Sequence, residues 1–422
     1  MRYSIHSSMK PGTLGNKVKR CGGKNIKIFK KANVVFADMT SDQASELKSV
    51  VKDANIRITG DIVSDYLLTN AITPPIPKEG NPTYSPEEVA ISTGLDSLRR
   101  LLSPPMYGKD INLAVMGTGI RATHVNINNR VVLSKNCTSF PDGDGFDHET
   151  GVAAIAVSIA PEVNILDIKI IKDTGVGTEE DAVEGIDYLI GLCDDEDEYA
   201  PDVVNMSFGT PDTDPNSALR AATRVLLSKG VLVVSAAGNS GPNPSTVTSP
   251  AVEQYVLAVG SIDYDTEQPS EFSSRGPTPE GLVKPDCTIF GNDLVVSSSK
   301  SDTATTSKSG TSFTSPFVAG LVCLWQEFFT RTGELLRLQG VPEDYPVPKL
   351  TPHLLVDVMT PQTCLKPEGV DPDKDNIYGW GIPLPSMTVQ LFGSSSSLYT
   401  IIPLMIEVMM IGMMGKVMGE ME

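Results

Sequence analysis

Cysteine is scarce and scattered in this chain. Six occur among 422 residues (Cys21, Cys137, Cys193, Cys287, Cys323 and Cys364), and no two lie close in sequence. That spacing excludes a zinc knuckle and a C-x-x-C redox pair, and a disulfide-poor interior suits a reducing compartment. Cys323 lies in the apolar run Leu321 to Trp325 and reads as a small buried hydrophobe. Basic residues are also short: 34 Lys and Arg stand against 52 Asp and Glu, for a net charge of −18. This argues against nucleic acid as a partner, because phosphate binding needs clustered cations. The N-terminal stretch MRYSIHSSMKPGTLGNKVKR carries positive charge but no following apolar run, so no signal peptide is read there and a cytoplasmic location is expected. Internal repeats are absent.

What is present is enough apolar residue, 40% against 20% charged, to bury a large core. The 36 Gly and 31 Pro point to many turns rather than to long helices. Residues 1–68 hold strand-like runs (Ile26 to Phe29, Val34 to Ala37, Ile56 to Thr59) around a helix that starts after the capping signal Thr40-Ser41-Asp42. This predicts a small α+β unit. The Pro-rich stretch 69–85 reads as a linker. From 86 to 391, continuously apolar runs (111–116, 163–171, 202–208, 230–237, 256–262) alternate with helical segments (148–160, 178–192, 216–229, 312–330). That alternation predicts an α/β domain whose parallel sheet has helices on both faces and its site at the carboxyl ends of the strands. The acidic run Asp194 to Glu198 reads as a solvated loop.

Residues 392–397 form a Ser-rich spacer, and 398–422 a Met-rich hydrophobic helix. From Pro403 to Met418 that helix would span about 24 Å, short of a ~30 Å hydrocarbon core. Starting it at Leu398 gives about 31 Å but takes in Pro403 and Glu407. The tail is therefore expected to associate with a membrane or with copies of itself.

Three segments carry chemistry only in combination. His148 opens a helix rich in small residues, Ser312 starts another, and Asn239 follows a strand in AAGNSG. Alone, each has an ordinary reading: a surface histidine, an N-cap, a turn. Together they supply a nucleophile, a general base and an oxyanion donor on the face where such a sheet places its site.

The motifs resemble those of subtilisin-family (subtilase) serine peptidases. GTSFTSPFVAG is similar to the family's nucleophile motif, DHETGVAA to its histidine motif, AAGNSG to its oxyanion segment and NMSFG (205–209) to its substrate-cleft strand. FSSRGPTPEGLVKPD (272–286) and NIYGWGIP (376–383) follow in family order. The resemblance implies a serine endopeptidase with Ser312 as nucleophile, His148 as base and then acid, and Asn239 at the oxyanion. It also implies substrate contacts from Ser207, Phe208 and Gly209 on one side of the cleft and from Ala236, Ala237 and Gly238 on the other. Residues 1–68 resemble the family's inhibitory, chaperoning propeptide, which makes the chain's own prosegment a partner beside peptide or protein substrates.

One departure is serious. INLAVMGTGI places Gly117 where the family has its triad Asp. A residual enzyme, an inactive pseudopeptidase that binds peptides and a mutated inactive form are all compatible with it. Asp142, Asp144 or Asp147 could substitute, and Gly117→Asp is expected to raise turnover. Asn126 stands at a family calcium-ligating Asp position, and the helix from His148 runs straight into Ala160-Pro161 without a calcium loop. No cofactor and no high-affinity calcium at that site are expected, other calcium positions staying open.

Overall fold

The computed structural model describes residues 1–64, 85, 86, 89, 93–338, 342 and 349–385. The tail from 398 and nearly all of the Pro-rich linker lie outside the described residues.

The N-terminal unit runs β1 (Arg2–His6), α1 (Pro11–Arg20), β2 (Lys24–Phe29), β3 (Val34–Asp38), α2 (Ser41–Val50) and β4 (Asn55–Ile58). Its strands form an antiparallel sheet in the order β2-β3-β1-β4. Thr40 and Gln43 close a reciprocal capping box at the start of α2, as the sequence signal indicates. A short strand β5 (Asp61–Ser64) then leaves this sheet.

The larger domain runs α3 (Leu95–Arg99), β6 (Asn112–Gly117), β7 (Val131–Asn136), α4 (Glu149–Ile159), β8 (Asn164–Lys169), β9 (Val176–Thr178) and α5 (Glu179–Asp194). It continues with β10 (Val203–Met206), β11 (Phe208–Gly209), α6 (Ala218–Ser228), β12 (Leu232–Ala236), β13 (Leu257–Ile262) and β14 (Cys287–Phe290). Last come the hairpin β15 (Leu294–Ser297) and β16 (Thr305–Lys308), a 3-10 turn at Thr311–Phe313, α7 (Ser315–Leu338), α8 (Pro352–Asp357), β17 (Cys364–Leu365) and β18 (Ile382–Pro383).

Seven strands form a wholly parallel sheet, ordered β14-β13-β12-β10-β6-β8-β7. Both faces are covered, so the inner strands are buried along their whole length and read as mainly apolar runs. Side chains still alternate between faces: Leu113 and Val115 join the core beneath α4 and α7, while Ala114 and Met116 join the one beneath α5 and α6. Gly320 lets α4 and α7 approach closely, since a Cβ there would lie 2.7 Å from Ile159 Cβ.

The five long strands and four helices expected between 111 and 330 are all present, with bounds trimmed by one or two residues at most ends. α7 runs longer, to Leu338, and a separate 3-10 turn carries Ser312. β7 was not expected, because it is a half-exposed edge strand whose second half, Ser-Lys-Asn, is polar.

The N-terminal sheet packs on the larger domain. Phe29, Ala32, Val34 and Phe36 enter the core beneath α5 and α6, with the two Phe rings edge to face at 5.7 Å. The Asp187 carboxylate accepts from the backbone N–H groups of Lys31 and Ala32, each at 2.7 Å. Arg2 and Lys27 pair with Glu180 of α5, and Lys31 pairs with Asp194 at its end. Strand β5 then lies antiparallel between β9 and β11.

Candidate active site

Ser312 sits in the 3-10 turn that leads into α7, where the dipole and unpaired N–H groups of a helix start favour negative charge. Gly310 sets up that turn at φ 154°, ψ 155°, a conformation essentially reserved for glycine. The turn is fastened from below by the segment after β10. Ser207 Oγ donates to Ser312 O at 2.9 Å and lies 2.9 Å from Ser315 Oγ, while Ser312 Oγ is directed to Ser207 O at 3.3 Å. On the β12 side, Asn239 Oδ1 accepts from the Thr311 N–H and hydroxyl, both at 2.9 Å. The planar amide therefore turns its NH2 end away from Thr311, beside Gly310.

His148 stands at the start of α4 with non-helical dihedrals, φ −131° and ψ −60°. Its ring packs against Phe313 with centroids 5.3 Å apart, which brings the imidazole to the Ser312 turn. Its Nε2 is buried and has no hydrogen-bond partner among the described residues. Its Nδ1 is 2.8 Å from Oε2 of Glu149. Glu149 is buried (1% exposed), and that burial pushes its carboxyl above the usual carboxylate range, with His148 acting in the opposite direction.

This carboxyl occupies the space above Gly117, the last residue of β6: a Cβ on Gly117 would sit 2.0 Å from Glu149 Cδ. Glu149 Oε2 also accepts from the Thr118 N–H at 3.3 Å, and the Thr118 hydroxyl accepts from the Glu149 N–H at 3.2 Å. Nearby Asp167 is pushed up to about 7, chiefly by burial. Lys169 Nζ donates to Thr118 O and Gly143 O and holds the adjoining loop.

Strand end, helix start and 3-10 turn thus converge at the carboxyl edge of a parallel sheet. The sequence pattern described as Subtilase family matches residues 108–381. The chain belongs to the subtilase family. It is 30% identical over 254 residues to Serine protease AprX of Bacillus subtilis, covering 52% of this chain and 57% of that protein. With Subtilisin DY of Bacillus licheniformis it shares 32% over 233 residues, 51% of this chain and 77% of the other. The Major intracellular serine protease of Bacillus subtilis is 29% identical over 257 residues, 55% and 75% of the two chains. The match thus spans little more than half of AprX.

In this subtilase Ser207, Gly238, Asn239 and His148, all singled out in the sequence, contact the turn that bears Ser312. Phe208 and Gly209 pair backbone to backbone with Ser64 and Val63, whereas the Ser207 side chain points beneath the Ser312 turn. Ala236 ends β12 and Ala237 comes next, both fully buried, and Gly238 follows at φ 111°. The carboxylates considered as substitute acids are engaged elsewhere. Asp142 accepts from Asn136. Asp147 accepts from the Ser298 hydroxyl and the Ser299 N–H. Asp144 accepts from the His148 N–H, the Thr150 N–H and hydroxyl, and the Thr118 hydroxyl.

A side chain added at Gly117 would meet the carboxyl end of Glu149, so a gain in turnover from Gly117→Asp requires that end to move aside. Sequence reading missed Glu149. Neighbours i and i+1 on a helix face apart, but His148 lies just outside the helical conformation, so here the two side chains meet. Asn126 donates to Ser297 Oγ at 3.0 Å. Among the described residues no three His, Cys, Asp or Glu side chains are grouped to hold a metal, and no helix is long and apolar enough to cross a membrane.

Proposed function

We propose that this chain is a serine endopeptidase precursor whose own N-terminal segment occupies the substrate cleft. The observation that carries the reading is the backbone pairing of β5 with Phe208–Gly209, beside the turn that bears Ser312. A substrate would be held the same way, as an added strand recognised through main-chain hydrogen bonds. Ser312 Oγ attacks the scissile carbonyl carbon while its proton passes to His148 Nε2, and the carbonyl oxygen takes up the displaced electron pair. The Asn239 amide and the N–H groups at the start of α7 stabilise that charge. His148 then returns the proton to the leaving amine, and water releases the acyl group by the same steps. These steps call on no cofactor.

In this reading residues 1–68 are the prosegment, docked through Asp187 and the pairs along α5. The second reading, a peptide-binding pseudopeptidase, draws on the lack of a side chain at Gly117. A fluorophosphonate probe separates the two. The full chain should label at Ser312 and release its N-terminal segment on incubation, and Ser312→Ala should do neither. A chain that is never labelled and never loses that segment is the pseudopeptidase.

A further inference from the structure

We propose that Glu149 is the positioning carboxylate of this site, reaching from the first turn of α4 into the space that Gly117 leaves open. This rests on the hydrolase reading above. Three observations carry it.

The first is the contact itself. Glu149 Oε2 lies 2.8 Å from His148 Nδ1, and among the described residues no other carboxylate is hydrogen-bonded to that ring. An acceptor at Nδ1 keeps the proton on Nδ1 and leaves the Nε2 lone pair to take the proton of a nucleophile; its negative charge also stabilises the imidazolium that results. Nε2 is the ring atom without a partner among the described residues.

The second is mutual exclusion. An ideal Cβ on Gly117 falls within 2.4 Å of Cδ, Oε1 and Oε2 of Glu149, so a side chain at 117 and the carboxyl of 149 compete for one space. Gly117 is therefore not simply an acid that has been lost. It is the vacancy that lets a carboxyl reach the same place from another strand of the fold's connectivity, the start of α4 instead of the end of β6.

The third is restraint. Thr118 holds Glu149 through its N–H to Oε2 and through its hydroxyl, which accepts from the Glu149 N–H. Asp144 in turn receives the Thr118 hydroxyl and the His148 backbone N–H, so it fixes the backbone around the pair without touching the ring. Glu149 takes no proton in the reaction. The proton moves from Ser312 Oγ to His148 Nε2 as the oxygen–carbon bond forms.

The test is the rate of fluorophosphonate labelling of the full chain as a function of pH, for the native sequence and four variants. Glu149→Gln should slow labelling about 10³–10⁴-fold, because an amide supports the wrong tautomer as readily as the right one. It should also move the acid limb of the profile to lower pH, since the imidazolium loses its counter-charge. Glu149→Ala should be slow as well. Gly117→Asp combined with Glu149→Ala should label at least ten-fold faster than Glu149→Ala alone. A merely structural glutamate would lower the melting temperature in Glu149→Gln without moving the acid limb and without rescue from position 117. Native-rate labelling of Glu149→Gln, or a double variant no faster than Glu149→Ala, overturns the assignment while leaving the hydrolase reading intact. Should Glu149→Gln fail to fold, the double variant decides alone. A native chain that does not label, or a Ser312→Ala chain that labels equally, overturns the hydrolase reading and this inference with it.

Discussion

The two halves of the cleft are built on different terms. On the half read as the nucleophile's, Gly310 sets the turn that bears Ser312 at a φ only glycine adopts, and the Asn239 side chain accepts from Thr311 within it. On the half read as the base's, two backbone positions share one space beside His148: a glycine at the end of β6 and a glutamate at the start of α4 whose carboxyl fills it. The first half can be read residue by residue. The second makes sense only as a pair. A role in a site belongs to a location in space, and more than one backbone position can deliver a side chain to it.

Single substitutions on the two halves should therefore behave differently. Asn239→Ala on the nucleophile half should lower kcat by about 10²–10³ with little change in KM, the loss expected for one oxyanion donor. No second substitution nearby should rescue it. Steady-state kinetics of the processed chain checks this, and a loss confined to KM would mean that Asn239 serves substrate binding instead. Asp144→Ala on the base half should do the reverse. It strands four buried donors (the Thr118 hydroxyl, the His148 N–H, and the Thr150 N–H and hydroxyl) and should cost about 3 kcal/mol of stability. The folded fraction should keep its kcat within about ten-fold, since Asp144 supports the loop and not the ring. Chemical denaturation and kinetics of the same preparation check it. A collapse of kcat at unchanged stability would make Asp144 the acid and remove the contrast between the two halves.

Most of the larger domain was legible because a parallel sheet covered on both faces leaves a strong imprint: mainly apolar strands such as 112–117 and 257–262, separated by helices. Two of the elements that escaped carry weak imprints. β7 is a half-polar edge strand, and α1 has two glycines in PGTLGNKVKR, each unfavourable in a helix interior. In the site, His148, Ser312 and Asn239 could be named because each lies in a distinctive local motif. Glu149 could not, although it is next to His148 in the chain. An acidic residue in the first turn of a helix is ordinarily a complement to the helix dipole. Only the dihedrals of His148 and the absence of a side chain at Gly117 reveal that its carboxyl turns inward.

The pairing of Glu149 with His148 can be observed without catalysis. With only four histidines in the chain, selective ¹⁵N labelling of their rings permits assignment of the His148 tautomer by nuclear magnetic resonance in the full-length protein. The expected result is a neutral ring with its proton on Nδ1, protected from solvent exchange, and a bare Nε2. In Glu149→Gln that Nδ1 proton should lose its protection or shift to Nε2. A His148 ring protonated on Nε2 in the native chain, or a spectrum that Glu149→Gln leaves unchanged, would contradict the assignment of Glu149 to the imidazole.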